Sequence, residues 1–191
     1  PADTDKIHHS GTGRFAWLTM RTMSLYESGE SSGEVSLNDL FCKPGIDIFG
    51  TNHLNIDAIA WLICRGGWPR ATTIDKEVAL DMAYRYYEAV VNNDISRVDN
   101  VRRDAERTKR ILRSIARNQC AQISVNTLCA DIESNDTVSA NRITIASYID
   151  ALKKIFVIED SLAWNPNLRS KTAIRSSETK YFSDPSIGVA A

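Results

Sequence analysis

Apolar residues recur at intervals of three and four from Asn100 to Asp160, and this spacing predicts three successive amphipathic helices. The first predicted helix is Arg97–Arg117 and the second is Val125–Ile132, while Asn141 opens the third. The third helix leads into the apolar strand Ile155–Ile158. Three helices and a strand in this order are typical of a winged helix-turn-helix, whose third helix lies in the major groove of DNA.

The first half of the chain has a different pattern. The run Phe15–Leu25 is rich in large apolar residues without helix caps and predicts a strand, and the small polar residues of Glu27–Glu34 predict a linker. Ser36 followed by Asp39 predicts the start of a short helix. Two longer helices are predicted over Asn55–Cys64 and Ile74–Val91.

Composition excludes several classes of protein. The 23 Lys and Arg residues nearly cancel the 24 Asp and Glu residues, so no global field would draw the chain to nucleic acid or to a membrane. No apolar run approaches the ~20 residues that span a bilayer, and the four separated cysteines are typical of reduced core residues. We therefore expect a soluble cytoplasmic protein without a membrane partner.

Positive charge is concentrated on the first predicted helix of the three, where eight Arg or Lys residues and three acids leave a net charge of +5. The candidate nucleic-acid-binding residues are Arg103, Arg107, Arg110 and Arg117 on one flank of that helix, with Arg142 and Lys154 on the third helix. Arginines on an exposed flank either contact phosphates or pair with acids of neighbouring segments, and both interpretations stay open. Asp150, on the outward face of the third helix, argues against strong base readout because it would lie close to phosphates.

No complete catalytic motif is present. Gly11–Arg14 has the glycines of a phosphate loop, but no Gly-Lys-Ser/Thr follows, so a turn is the better interpretation. The three histidines lack the carboxylates or cysteines of a metal site, and we predict no metal. Glu178 and Lys180 have the E-x-K form of metal-dependent nucleases, with Asp160 as a possible second carboxylate. A tripeptide of this form also arises by chance in charged proteins.

Several strings, taken together in their order, resemble prokaryotic AAA-type ATPases. His9–Arg14 and Met20–Glu30 are similar to the end of the nucleotide-binding core of those proteins, and Cys64–Pro69 is similar to the end of their lid helix. The strings that resemble the following domain of unknown function are Leu112–Asn118, Ser147–Leu152, Phe156–Asp160 and Trp164–Pro166, and Tyr181–Ser186 resembles the entry into a C-terminal nuclease-like fold.

The resemblance implies that the intact parent binds ATP and Mg, with its Walker motifs in a segment that precedes residue 1. Neither motif occurs in this sequence, so we expect no cofactor in this fragment and no ATP hydrolysis by it alone. Arg14 and Arg21 would then lie near the γ-phosphate of the parent, or serve as structural arginines. The expected partners are the rest of the ATPase polypeptide, another protein or a second copy, with DNA as a further possibility.

We therefore expect a mainly α fold: a helical lid-like segment plus a winged helix-turn-helix with a small β-wing. Both ends are typical of a piece of a longer polypeptide. The leading hypothesis is a regulatory and interaction module of an AAA-type ATP-binding protein, and the alternative is a DNA-binding winged-helix regulator. The predicted division is an ATPase-core remnant and linker (1–30), a lid-like segment (31–95), a winged helix-turn-helix (96–164), and wing strands, including the candidates Lys171–Arg175 and Lys180–Ser183, with the start of a further domain (165–191).

Overall fold

The computed structural model describes residues 13–16, 18–135, 141–162 and 178–191, and these form a mainly helical protein with a small antiparallel sheet. None of the helices in these residues is long and apolar enough to cross a membrane. The helices are α1 (Leu37–Cys42), α2 (Ile56–Arg65), a 3-10 turn (Pro69–Thr72), α3 (Lys76–Ala89), a π turn (Val90–Asp94), α4 (Ile95–Arg97), α5 (Ala105–Arg117), α6 (Val125–Asn135), α7 (Arg142–Lys154) and α8 (Pro185–Ala190).

Side-chain caps explain where most of these helices begin. A side-chain oxygen just before the helix accepts a hydrogen bond from a first-turn N–H, which would otherwise have no partner. The capping residues are Ser36, Asn55, Asp104, Ser124, Asn141 and Asp184. The predicted helices that open at Ser36, Asn55 and Asn141 are confirmed by these contacts.

The predicted basic helix Arg97–Arg117 is wrong over its first third, because α5 begins only at Ala105. Asn100 lies in the left-handed region at φ 57°, a conformation that ends a right-handed helix. Asp104 is extended and accepts a hydrogen bond from the Arg107 N–H, so it caps a new helix instead of continuing α4. Local side-chain hydrogen bonding therefore overrides the apolar periodicity across this break.

The predicted strand Phe15–Leu25 is also wrong, since residues 13–16 and 18–25 form no strand in the structure. A strand needs a partner for its backbone, whereas this segment is held by separate contacts. Its backbone bond to the rest of the fold runs from the Met23 N–H to the Gly67 carbonyl at 2.7 Å. We use the name strap for residues 18–30, which are this segment and the turn that follows it, and which lie on the helical body.

The sheet pairs β1 (Ile158–Ser161) with β2 (Thr179–Phe182), and Ile158 lies opposite Phe182. The predicted strand Ile155–Ile158 is wrong except for Ile158, because residues 155–157 form the turn that ends α7. The strand candidate Lys180–Ser183 is confirmed over Lys180–Phe182, while the candidate Lys171–Arg175 lies outside the described residues. An isolated bridge between Gln122 and Thr179 also brings the connection between α5 and α6 against β2.

Helix α7 ends in a Schellman motif with an unusual residue. The Phe156 N–H donates to the Lys153 carbonyl, and the Val157 N–H donates to the Leu152 carbonyl at 3.0 Å. Phe156 occupies the left-handed position of this motif with φ 58°, where glycine is the usual residue.

One hydrophobic core joins the second half of α3 to the last described helix. Its members include Tyr87 and Ile95 as well as Ile187, so it crosses the predicted boundary between residues 95 and 96. The largest fully buried side chains are Val90, Val91, Ile95, Ile111, Leu112, Ile115, Leu128, Ile145, Leu152, Val157, Ile158 and Ile187. In contrast, α1 buries no residue and α2 buries only Leu62 and Arg65.

Candidate functional site

The end of α2 carries a buried arginine that holds the strap. Arg65 is 3 % exposed, and its guanidinium forms an ion pair with Glu30 and donates to the Ser28 hydroxyl and to the Gly66 carbonyl. Burial would raise the pKa of Glu30, but the hydrogen bonds from Arg65 and Ser28 outweigh it and lower that pKa below its usual range. A charged pair therefore fixes the end of the strap.

Two glycines follow Arg65 and form a joint where the strap meets α8. The Gly67 N–H donates to a carboxylate oxygen of the buried Asp184 at 2.8 Å, and the Gly67 carbonyl accepts from the Met23 N–H. A Cβ on Gly67 would lie 2.1 Å from the Met23 carbonyl oxygen, which is closer than any real contact. Only glycine fits here. The Trp68 indole N–H donates to the Ser186 hydroxyl at 3.0 Å and extends the joint.

A small cleft of about 220 Å³ lies between the strap, α2 and the start of α8. Apolar side chains line most of it, among them Met23, Ile59 and Leu62. The buried charges at its edge, Arg65 and Asp184, are already satisfied by the contacts above. The cleft is therefore an apolar feature beside a complete polar network.

The surface of α1 and α2 exposes an unusual amount of apolar area. We use the name lid surface for the exposed apolar side chains of residues 37–63, which are Leu37, Leu40, Phe41, Ile46, Phe49, Ile56, Ile59 and Ile63. Phe41 and Phe49 are 79 % and 81 % exposed. Single exposed apolar side chains are normal on a protein surface, but eight large ones within residues 37–63 are more than scattered single residues.

The two arginines predicted to lie near a nucleotide have different environments. Arg14 is exposed, and Arg21 makes a two-pronged ion pair with Glu159 of β1, with contacts of 3.0 and 2.6 Å. The Arg21 side chain lowers the pKa of Glu159 below its usual range, mainly through these hydrogen bonds. Arg21 therefore ties the strap to the sheet, and its position near a nucleotide of the parent stays a prediction.

Arg103 corrects the prediction of an exposed basic flank. It precedes α5, is 7 % exposed, and donates to both carboxylate oxygens of Asp99 and to the Ile95 carbonyl. Its guanidinium also lies 5.7 Å from the centre of the Tyr148 ring. Burial and the ion pair with Asp99 hold this side chain inside the fold. It therefore cannot contact phosphates from this position.

We expect acid to weaken the fold through Asp99. Hydrogen bonds from Arg103 lower the pKa of Asp99 to about 2 in the folded state, compared with about 3.9 in an unfolded chain. A lowered pKa gives stability that is complete above pH ~4 and is lost as the pH falls towards ~2. Since Asp99 is partly exposed, we expect this contribution to be about 1 kcal/mol.

Urea unfolding at a series of pH values would measure this loss, with Asp99→Asn as the comparison. The variant should be less stable at pH 7 and should lose less stability than the natural chain between pH 4 and pH 2. Equal slopes for both proteins would contradict the assignment.

The remaining predicted basic residues do not form one site. Arg107 and Arg110 are half-buried on α5, and Arg117 donates to Asp131 of α6 at 2.6 Å. Arg142 and Lys154 are exposed on α7 and make no ion pair within the described part of the chain. The structure thus places Arg117 in an exposed ion pair with Asp131 and leaves Arg142 and Lys154 exposed at the two ends of α7.

The nuclease-like residues meet at the sheet. Asp160 accepts from Lys180 at 2.8 Å and from Lys153, and Lys153 lies 4.0 Å from Glu178. Burial would raise the pKa of Asp160, but its hydrogen bonds with Glu178 and the two lysines lower it well below its usual range. Among residues 13–16, 18–135, 141–162 and 178–191 no cluster of three metal-ligating side chains occurs. This ion-pair network links α7 to both strands.

Sequence reasoning missed the joint. The signal was present in Arg65 followed by two glycines and in the capping pattern Asp184-Pro185-Ser186, but the two stretches lie more than 100 residues apart. Nothing in either pattern shows that they meet.

The fold and contacts define a mainly helical protein in which a polar joint ties an extended strap to a core with a small antiparallel sheet. Residues 56–191 match a family model described as a domain of unknown function, DUF8612. The chain belongs to that family, and the match begins at α2, after the strap and α1. No curated protein and no solved structure matches the chain.

Proposed function

We propose that this chain is a regulatory interaction module of a cytoplasmic AAA-type ATP-binding protein and has no catalytic activity alone. The observation that carries the proposal is the lid surface, whose exposed phenylalanines contrast with the closed core around Leu112 and Leu152. Because water-exposed apolar side chains of this size favour burial, the lid surface needs a covering protein. The sequence resemblance identifies an ATP-binding core as the best candidate.

The strap and the joint support a coupling role for the module. The strap has no helix or strand of its own, yet Arg21 bonds to Glu159 of β1, while Met23 and Glu30 bond to Gly67 and Arg65 at the end of α2. A displacement of the strap would therefore be felt at α2, α8 and β1 together. We infer that nucleotide-dependent movement of an attached core reaches the module along this path.

The test begins with the gene, where the proposal expects a G-x-x-x-x-G-K-[ST] loop upstream in the same reading frame. The encoded core is then purified separately and titrated with this chain in a calorimeter. We expect saturable binding that becomes about ten-fold weaker or worse in Phe41→Ser and Phe49→Ser, because exposed aromatic anchors dominate such interfaces.

Val78→Ser is the matched control, since Val78 is an exposed apolar residue of α3 outside the lid surface. It should bind the core like the natural chain. Absence of binding, or equal weakening by all three substitutions, would overturn the proposal. Micromolar ATP binding by the isolated chain would also contradict it, because the module is proposed to have no nucleotide site of its own.

We propose further that α5, α6, α7 and the sheet form a winged helix-turn-helix. The bridge between Gln122 and Thr179 supports this assignment, because it adds a short paired segment between the first and second helices. The order is then helix, short strand, helix, helix and two strands. In such a unit α7 would be the recognition helix.

DNA binding is the alternative function, and the exposed face of α7 favours it. Arg142 and Lys154 are exposed at the two ends of this helix without ion pairs in the described residues, although Asp150 is exposed between them. Fluorescence anisotropy with a labelled duplex at rising salt would decide the question. Binding should fall steeply with salt and weaken in Arg142→Gln and Lys154→Gln, with Arg70→Gln as an exposed control. No binding at low salt removes this alternative.

A further inference from the structure

Phe156 is placed in a conformation that costs free energy, and its ring is not used by the core. Its φ of 58° at the end of α7 suits glycine, while its side chain is 66 % exposed. An aromatic residue that is strained and also exposed contributes little to folding. Strained positions of this kind are concentrated at binding sites, so the surroundings of the ring are informative.

The ring lies at a cleft of about 290 Å³ with other aromatic and apolar walls. Trp68 and Tyr86 form one wall, with their ring centres 4.7 Å apart and their planes tilted by 43°. Pro69 and Ile155 complete the apolar lining, and the strap closes one side. The cleft shares no residue with the lid surface.

A second cleft of about 300 Å³ adjoins the first, because Tyr86 and Ile155 line both. It is bounded by Val90 and Val98, with Asp94 and Arg97 beside them. We use the name groove for the two clefts together, and two neighbouring clefts suit an extended chain better than a single compact ligand.

The charges along the groove cancel. Arg21 is neutralised by Glu159 in the first cleft, and the second contains one acid and one base, Asp94 and Arg97. A ligand with a high net charge of either sign therefore gains little here. Single-stranded nucleic acid would also stack on aromatic rings, but it needs a line of free cations that this groove does not offer.

Several polar side chains line the groove, but the Thr22 hydroxyl donates to the Ser183 carbonyl and the Ser183 hydroxyl donates to the Val157 carbonyl. The Trp68 N–H is used by Ser186, while the Tyr86 hydroxyl makes no hydrogen bond to the described residues. Burial raises the pKa of Tyr86, so this hydroxyl stays protonated and can donate to a carbonyl. An occupant should therefore be mostly apolar and should offer backbone carbonyls.

We propose that this groove, with Trp68, Tyr86 and Phe156 as its walls, binds an extended proline-rich peptide of a protein partner. Polyproline II segments are neutral, stiff and rich in exposed carbonyls, and they dock in grooves lined by tryptophan and tyrosine. Their low conformational entropy suits a shallow groove. The site is additional to the proposed interaction with an ATP-binding core.

A fluorescein-labelled decaproline peptide is the probe, with a Gly-Ser peptide of equal length and a labelled dT10 oligonucleotide as comparisons. We expect saturable anisotropy changes for decaproline with Kd below about 1 mM, the weak end of specific association. Amide and indole NMR shifts should centre on Trp68, Tyr86 and Phe156. Neither comparison ligand should bind at these residues.

Phe156→Gly gives the sharpest variant, because it should raise Tm while it weakens decaproline binding about ten-fold. Cys120→Gly is its control: Cys120 also has a positive φ, of 63°, and lies outside the groove. It should raise Tm and leave binding unchanged. Tyr86→Phe should weaken binding about three-fold, and Tyr84→Phe on the same helix should not.

The proposal is overturned if decaproline fails to bind the folded chain, or if Phe156→Gly binds as well as the natural chain. Binding of dT10 at the same residues would assign the groove to nucleic acid instead. Loss of core binding in the Phe41 and Phe49 variants leaves these outcomes unaffected, so the two proposals fail separately.

Discussion

Gly67→Ala is expected to lower the free energy of unfolding by about 2–4 kcal/mol, because the new methyl group meets backbone atoms. The Cβ would lie 2.1 Å from the Met23 carbonyl oxygen and 2.8 Å from the Met23 nitrogen. Neither atom can rotate away as a side chain would, so the strap must leave the joint. Urea denaturation would measure the loss, and limited proteolysis should cut the strap earlier in the variant.

Gly50→Ala is the control for this substitution. Gly50 also has no positive φ, but its Cβ would meet side-chain atoms of the exposed Glu34 and Val35 at 3.0 Å or more, and no backbone atom. We expect a change within about 0.5 kcal/mol, as for other surface positions. If Gly67→Ala were equally harmless, the strap would not be held at Gly67 in solution.

Asp184→Asn should lower the free energy of unfolding by about 2–4 kcal/mol even though the side chain keeps its size, because a buried N–H loses its acceptor. One carboxylate oxygen accepts from the Gly67 N–H, and the other accepts from the Ser186 N–H at 2.9 Å and from its hydroxyl. The asparagine oxygen can accept from only one of these two sets of donors, since the NH₂ group of the amide would face the N–H of the other set. Denaturation midpoints of the natural chain and the variant would measure the effect.

Asp150→Asn is the matched control, because Asp150 is exposed on α7 and has no hydrogen bond in the described residues. It should leave stability unchanged within about 0.5 kcal/mol. The double variant Asp184→Asn/Gly67→Ala should lose less free energy of unfolding than the sum of the losses in its two single variants, since both substitutions break the same joint. Strict additivity would show that Asp184 and Gly67 act independently.

Helix starts were the part of the fold most readable from the sequence. Ser36, Asn55 and Asn141 cap helices as predicted because an N-cap is a local contact between residues two or three positions apart. The strand Phe15–Leu25 failed for the opposite reason. Its apolar composition suits a strand, but within the described residues the segment is held by separate contacts and pairs with no strand, and composition carries no information on that point.

The candidate site was less predictable because its contacts are distant in sequence. Arg65 meets Glu30 across 35 residues, Gly67 meets Asp184 across 117 and Arg21 meets Glu159 across 138. Such pairs leave no periodic signal in either segment. Arg103 shows a related limit for charged residues. The helical spacing predicted an exposed position for it, whereas the helix is broken before it at Asn100, and the ion pair with Asp99 holds its side chain in the interior.

The joint has a consequence for synthesis of the chain. Helix α8 supplies Ile187 to the core and follows the Asp184 acceptor for Gly67, so residues 56–161 cannot close their core until this late segment is available. Contacts across such separations slow folding, because the chain must lose the entropy of closing a long loop before the contact can contribute favourable free energy. We expect nascent chains that stop short of Asp184 to expose the faces of α2, α3 and α5 and to depend on chaperones until elongation passes that point.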